Sequence, residues 1–244
     1  MVQQCRWLIE RAGASCVAVK PQLACFERLG AHGRRALGEV CHAARDAGLL
    51  VVADGKRGDV PVTARAYGQA LVGETPTPWG PVPGLGADAF TANPLLGEDA
   101  IDALVEAARE AGAGVFLLVR TSNPGAAALQ DVQLEGRPMH ERLARLVAER
   151  APLLRGEGGL SGMGAVVGAT APEHLGRLRE LMPDSIFLVP GVGAQGGRPE
   201  ELGPALAPGR PASLLVAAAR GIAGADEPGE AAEELRAALW SLPT

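Results

Sequence analysis

Short apolar runs alternate with helix-forming segments along this chain, and no other feature restricts its fold so narrowly. Cys16 to Lys20, Leu49 to Asp54, Ala87 to Thr91, Val115 to Thr121, Ala165 to Thr170, Ile186 to Pro190 and Ser213 to Ala218 are apolar and bounded by Gly or Pro, and read as seven strands. Between them, Arg34 to Ala47, Asp99 to Ala111, Met139 to Arg150, Pro172 to Leu181 and Gly229 to Leu239 carry Ala, Leu, Glu and Arg at helical spacing. The alternation predicts a parallel sheet with right-handed crossovers. At 244 residues and 47% hydrophobic content the chain can bury one large core. The α/β barrel, typically about 250 residues long, is the single-domain architecture closest in size, so one barrel domain over residues 1–244 is expected. Gly73 to Gly86 and Gly156 to Gly164, rich in proline and glycine respectively, break the rhythm and read as surface loops.

Composition narrows the range of partners. The net charge is −5, from 23 basic and 28 acidic residues, with no basic run or aromatic platform suited to a nucleic acid. No apolar run approaches the ~18 residues needed to span a bilayer, and Met1 to Trp7 lack a signal-peptide layout. A cytoplasmic protein without membrane contact is expected. Cys5, Cys16, Cys25 and Cys41 lack paired metal-ligand spacing and read as buried free thiols. His32, His42, His140 and His174 fall in helical or loop segments away from the strand ends, so no metal or catalytic histidine is expected.

The strand ends collect the polar residues. In Leu49 to Val60 an apolar run breaks into Asp54, Lys56 and Asp59, charges that are costly to desolvate and rarely placed at a buried strand end without a chemical task. Asp54 and Lys56, two apart on a strand, share a face, and Asp59 can curl back over them. This is a candidate proton-transfer cluster. Lys20 closes the first strand, Thr91 and Asn93 follow the third, Thr121, Ser122 and Asn123 the fourth, and Thr170 the fifth. After the sixth comes a glycine-rich turn, Pro190 to Gly197, and after the seventh Arg220 and Gly221. Exposed backbone N–H groups and a neighbouring guanidinium suit a phosphate, which barrels of this kind often bind at their last two strands.

Three motifs carry a resemblance: Ala53 to Asp59 with Val60 and Thr63 beyond it, Thr121 to Gly125, and Val189 to Gly197. Over nearly its whole length the chain resembles the orotidine 5'-phosphate decarboxylase family, in its long bacterial branch. That resemblance implies a (β/α)8 barrel converting orotidine 5'-phosphate to uridine 5'-phosphate and CO2 in pyrimidine biosynthesis, with no metal and no organic cofactor. Lys20, Asp54, Lys56 and Asp59 would form an alternating charge array, with Lys56 the proton donor and Asp59 reaching into the site of a partner subunit, which implies a homodimer. Ser122 would bond the pyrimidine and Gln195 lie over base and phosphate. Arg220 with the backbone of Gly193 and Gly221 would hold the phosphate, and Thr63 and Lys20 would touch the ribose region.

Two departures stand out. The family begins with a strand bearing an Asp that binds ribose, whereas Met1 to Trp7 resemble the helix after it. The first strand is therefore expected to be missing, through a start placed too far downstream, leaving seven strands and two bare edges. Ala218 and Ala219 stand where a serine often precedes the arginine. Two other functions compete. A Mg2+-dependent sugar-phosphate decarboxylase or synthase shares the Asp54, Lys56, Asp59 spacing, although the basic Arg57 and the Ser122 and Gln195 loops argue against it. The other is a non-catalytic phosphate-ligand-binding relative.

Overall fold

The computed structural model describes residues 1–243. Seven strands form one sheet: β1 Ala18–Val19, β2 Leu50–Arg57, β3 Ala89–Ala92, β4 Gly114–Arg120, β5 Ser161–Val167, β6 Ser185–Pro190 and β7 Leu214–Ala217. Every neighbouring pair is parallel, and the spatial order equals the chain order. A doubly wound sheet reverses its order once. This sheet never does, so each crossover turns the same way and the sheet curls, as in a TIM-type barrel.

Seven main helices cover the outside: α1 Val2–Ala12, α2 Gly30–Asp46, α3 Pro61–Leu71, α4 Glu98–Glu110, α5 Met139–Arg150, α6 Leu175–Leu181 and α7 Pro228–Trp240. Their buried faces follow helical spacing, for example Leu37, Val40, Cys41 and Ala44 on α2 and Ile101, Leu104, Val105 and Ala108 on α4. These side chains meet Val51, Ala53, Phe90, Leu117, Ala165 and Phe187 from the outer face of the sheet in one continuous core. Each such Leu or Ile contributes about 1.5–3 kcal/mol by leaving water. Gly68 on α3 lets α4 approach closely, since a Cβ there would stand 2.4 Å from that of Ala107.

Alternate strand residues point inward. Val52, Ala89, Phe116, Val166 and Leu188 form a second, smaller cluster, with Ala18, Leu118, Ile186, Leu215 and Ala217 against it. The curl is unevenly covered. β3 is buried throughout, whereas β1 and β7 are half-buried and Leu50 on β2 is 54% exposed. Among the described residues no ladder joins β1 to β7. The helices meet there nonetheless: α1 packs on both α2 and α7, and Ser15 Oγ donates to Glu233 Oε2 at 2.8 Å.

All seven expected strands exist, with shifted limits. Expected to start at Ala165, β5 starts at Ser161 instead, so the second loop is shorter than its glycines suggest. Glycine costs a strand packing and entropy, but here it admits neighbours: a Cβ at Gly164 would strike the Phe116 ring at 2.5 Å. Gly73 to Gly86 holds a small antiparallel pair, Glu74–Thr75 with Val82–Pro83. The thiols are free, but only Cys41 is buried, while Cys25 is exposed; burial pushes the Cys41 thiol up to about 11. Among the described residues no helix is long and apolar enough to cross a membrane.

Sequence reading gave no warning of Arg179. Buried on α6, it donates to the carbonyls of Ala205, Met182 and Ser185 at 2.8, 2.8 and 2.7 Å and lies 3.7 Å over the Phe187 ring. Burial lowers its pKa to about 10. Beside it, Ser185 Oγ is buried with no hydrogen-bond partner among the described residues. Ser185→Ala should therefore be neutral or stabilising by up to about 1 kcal/mol, since it removes an unsatisfied hydroxyl. A melting temperature lowered by several degrees would show that the hydroxyl has a partner after all.

Candidate active site

Two residues beyond the inward-facing Ala18, Val52 and Ala89 stand Lys20, Asp54 and Thr91, so strand alternation alone sets them in one layer at the carboxyl ends of β1, β2 and β3. They are in direct contact. Lys20 Nζ donates to Asp54 Oδ2 at 2.5 Å, Lys56 Nζ to Asp54 Oδ1 at 2.5 Å, and Thr91 Oγ1 to Asp54 Oδ1 at 2.9 Å. Gln22 Nε2 adds a bond to Oδ2 at 3.2 Å. Burial of Asp54 alone would raise its pKa, but Lys20 and Lys56 together outweigh that and hold the carboxyl below its ordinary value. The trio of charged groups carries one net positive charge in a polar floor.

Lys56 is held unusually. Its φ is +49°, left-handed backbone that a residue with a Cβ enters at a cost of order 1 kcal/mol. The β2–β3 register slips between Ala53 and Arg57, and the Lys56 N–H donates to Thr91 Oγ1 at 2.9 Å. This irregularity aims the ammonium at Asp54. Thr91 thus braces both charged partners, a role that its place at a strand end hinted at. The next residue, Arg57, pairs with Glu27 and lies 5.4 Å from the Tyr67 ring centroid. Arg57 thus makes its contacts with Glu27 and Tyr67 rather than with Asp54.

Asp59 and Thr63 are not brought to this cluster. The Asp59 carboxylate accepts from the Val60 N–H at 2.8 Å and has no ion pair within its own chain among the described residues, while Thr63 is exposed on the first turn of α3.

A second group gathers at the ends of β4, β5 and β6. Ser122 Oγ donates to Gln195 Oε1 at 2.9 Å, and Thr170 Oγ1 donates to the Ser122 carbonyl at 2.9 Å. Glycine makes room for Ser122: a Cβ on Gly168 would lie 2.7 Å from its backbone, and Gly191, at φ +103°, faces its Cβ. Arg120, Ser122, Asn123, Pro124, Thr170, Ala171 and Gln195 line a cavity of about 360 Å3. Lys20, Asp54 and Lys56 are not part of that lining.

The expected phosphate end is partly formed. In the Gly191 to Gly197 turn, the N–H groups of Gly193 and Gly197 are taken by the carbonyls of Gly197 and Gly191 at 2.9 and 3.0 Å. The backbone of Gly193 is therefore engaged within its own loop. Arg220 and Gly221 are exposed at the end of β7, and the Arg220 guanidinium has no partner among the described residues.

The histidines give the largest surprise. His140 on α5 is buried, its Nδ1 3.0 Å from both the Gln130 carbonyl and Asp131 Oδ1, and its ring centroid lies 4.6 Å from that of His174. Arg120 grips Asp131 with Nε at 2.8 Å and NH2 at 3.0 Å, lowering the Asp131 pKa. Burial, then His174, lowers that of His140. Asp131, His140 and His174 meet beside Arg120, which also lines the cavity, a convergence that spacing along the chain does not reveal.

Comparison with known proteins decides the family. The model of the orotidine 5'-phosphate decarboxylase / HUMPS family matches residues 2–235. The chain belongs to this family. It is 44% identical over 203 residues to the orotidine 5'-phosphate decarboxylase of Rhodopirellula baltica, covering 82% of this chain and 65% of that protein. Among solved structures, Leishmania donovani UMP synthase superposes with a TM-score of 0.81 at 37% identity, over 99% of this chain and 50% of that one. Leishmania donovani OMP decarboxylase gives 0.78 at 35%, over 98% and 88%. The chain thus spans less than two thirds of the length of the first of these relatives and half that of the UMP synthase. The likeness to both solved structures extends over nearly all of this chain, in agreement with the barrel winding.

Proposed function

We propose that this chain decarboxylates orotidine 5'-phosphate to uridine 5'-phosphate and CO2, as a cytoplasmic step of pyrimidine nucleotide synthesis. The observation that carries the reading is the buried Asp54 held 2.5 Å from both Lys20 and Lys56 at the barrel mouth. Loss of CO2 from C6 of the pyrimidine leaves an electron pair in the ring plane, which the π-system cannot absorb. An ammonium fixed beside that carbon by a buried carboxylate lowers the energy of the developing charge without reorganising, which is where electrostatic preorganisation is worth most. Lys56 then donates a proton to C6. The net positive charge of the cluster receives the substrate carboxylate, Ser122 and Gln195 take the base, and Arg220 takes the phosphate.

The partner in this reading is a second copy of the chain. Asp59, which accepts from the Val60 N–H and makes no ion pair with its own Lys56, would complete the charge array of the neighbouring subunit. The magnesium-dependent alternative needs Asp54 and Asp59 to converge on one cation. In this chain both Asp54 oxygens are bonded to lysines, and the Asp59 carboxylate is bonded to the Val60 N–H.

The direct test is release of CO2 from orotidine 5'-phosphate after exhaustive chelation, with full turnover expected. Activity that vanishes and returns with Mg2+ would transfer the assignment to the alternative. Stabilisation by the nucleotide without CO2 release would make the chain a binding protein. For Arg220→Ala, loss of a charge-assisted phosphate grip worth about 1.5–3 kcal/mol should raise KM roughly 10- to 100-fold. An unchanged KM would remove Arg220 from the phosphate site.

A further inference from the structure

We propose that Asp131, His140 and His174 form a binding site for a divalent transition metal of the zinc class, apart from the decarboxylation machinery. One ligand atom from each of these side chains lies within 4.8 Å of the other two. They come from three separate places: Asp131 follows the short helix Ala127–Gln130, His140 sits in the first turn of α5, and His174 ends the turn Pro172–His174 before α6. Two imidazoles with one carboxylate are a donor set that suits Zn2+, Ni2+ or Cu2+ and leaves a fourth position open, whereas Mg2+ and Ca2+ prefer oxygen alone. Ligand distances near 2.1 Å require the donors to draw in by on the order of 1 Å, within reach of a χ rotation of the partly exposed His174.

The surroundings resemble the outer shell of a metal centre. Such sites hold a ligand imidazole by a carbonyl or carboxylate and hold the carboxylate ligand by further donors. Here the Gln130 carbonyl lies 3.0 Å from His140 Nδ1, and Arg120 bonds both Asp131 oxygens. His140 is 3% exposed, so its ring is fixed by packing before any cation arrives. Arg120, which bonds Asp131, also lines the Ser122 cavity, so one side chain connects the two places. His42 offers a contrast, an exposed imidazole with only Asp46 beside it.

Titration of the full, reduced chain with Co2+ tests the inference independently of any turnover. One saturable equivalent is expected, with d–d absorption of a low-coordinate nitrogen and oxygen site, no thiolate charge-transfer band, and displacement by Zn2+. His174→Gln, at a partly exposed position, should keep the fold by circular dichroism and weaken Co2+ at least about tenfold. His42→Ala should leave binding unchanged. Absence of saturable binding, a thiolate band, or equal affinity in His174→Gln would each overturn the proposal. Should His174→Gln misfold, His174→Ala and the thiolate readout on the unaltered chain decide the matter in the same way.

Discussion

Lys56→Ala should lower kcat by well over the ~100- to 1000-fold typical of removing one preorganised donor. The substitution takes away two things at once. In the proposed reaction it removes the proton that C6 needs, and it removes one of the two cations bonded to Asp54, which would leave the carboxylate to face the substrate carboxylate with Lys20 alone. The left-handed backbone at Lys56 adds a control, because Ala tolerates that conformation no better than Lys does. A fall of kcat with little change in melting temperature is therefore expected. A drop of tenfold or less, measured on a chain that still folds, would take Lys56 out of the mechanism.

Mixing two inactive variants should restore activity. If Asp59 serves the partner's Lys56, the Lys56→Ala and Asp59→Ala homodimers each have both sites damaged. After subunit exchange, the mixed dimer has one site with both defects and one with neither. With equal amounts and random pairing about half the dimers are mixed, so recovery should approach roughly one quarter of the unaltered activity, given independent sites. The geometry motivates this test, since the Asp59 carboxylate bonds only the Val60 N–H in its own chain. Exchange verified by mass with no recovery would place the action of Asp59 within its own subunit, or show that the site is assembled otherwise.

The strand pattern and the charged strand ends were legible because both depend on local periodicity. An inward residue plus two is again inward, and that rule alone carries Ala18 to Lys20 and Val52 to Asp54. It fails at Lys56, where the expected shared face is reached only through a slipped register and a left-handed residue supported by Thr91. The Ser122 and Gln195 loops were recognised by motif, whereas their hydrogen bond spans 73 positions and depends on Gly168 and Gly191 leaving space. Arg179 and the pairing of His140 with His174 were invisible for the same reason. A buried cation satisfied by carbonyls, or two rings brought together from a helix and a distant turn, leaves no periodic trace in a sequence.

The uneven cover of the sheet should also appear on the clock of amide exchange. Strands β3 to β6 have neighbours on both sides and helices outside them, so their N–H groups open only when much of the molecule does. β1 and β7 each have one paired edge and intermediate burial, and their amides should trade protons for deuterons at rates set by local excursions. Lys20 and Arg220 stand at the ends of these two faster strands, whereas Ser122 and Thr170 stand at the ends of slow ones. The end of the site proposed to grip phosphate is therefore expected to belong to a quicker part of the molecule than the end proposed to take the base, and a nucleotide bridging the two should slow the first while leaving the second nearly unchanged.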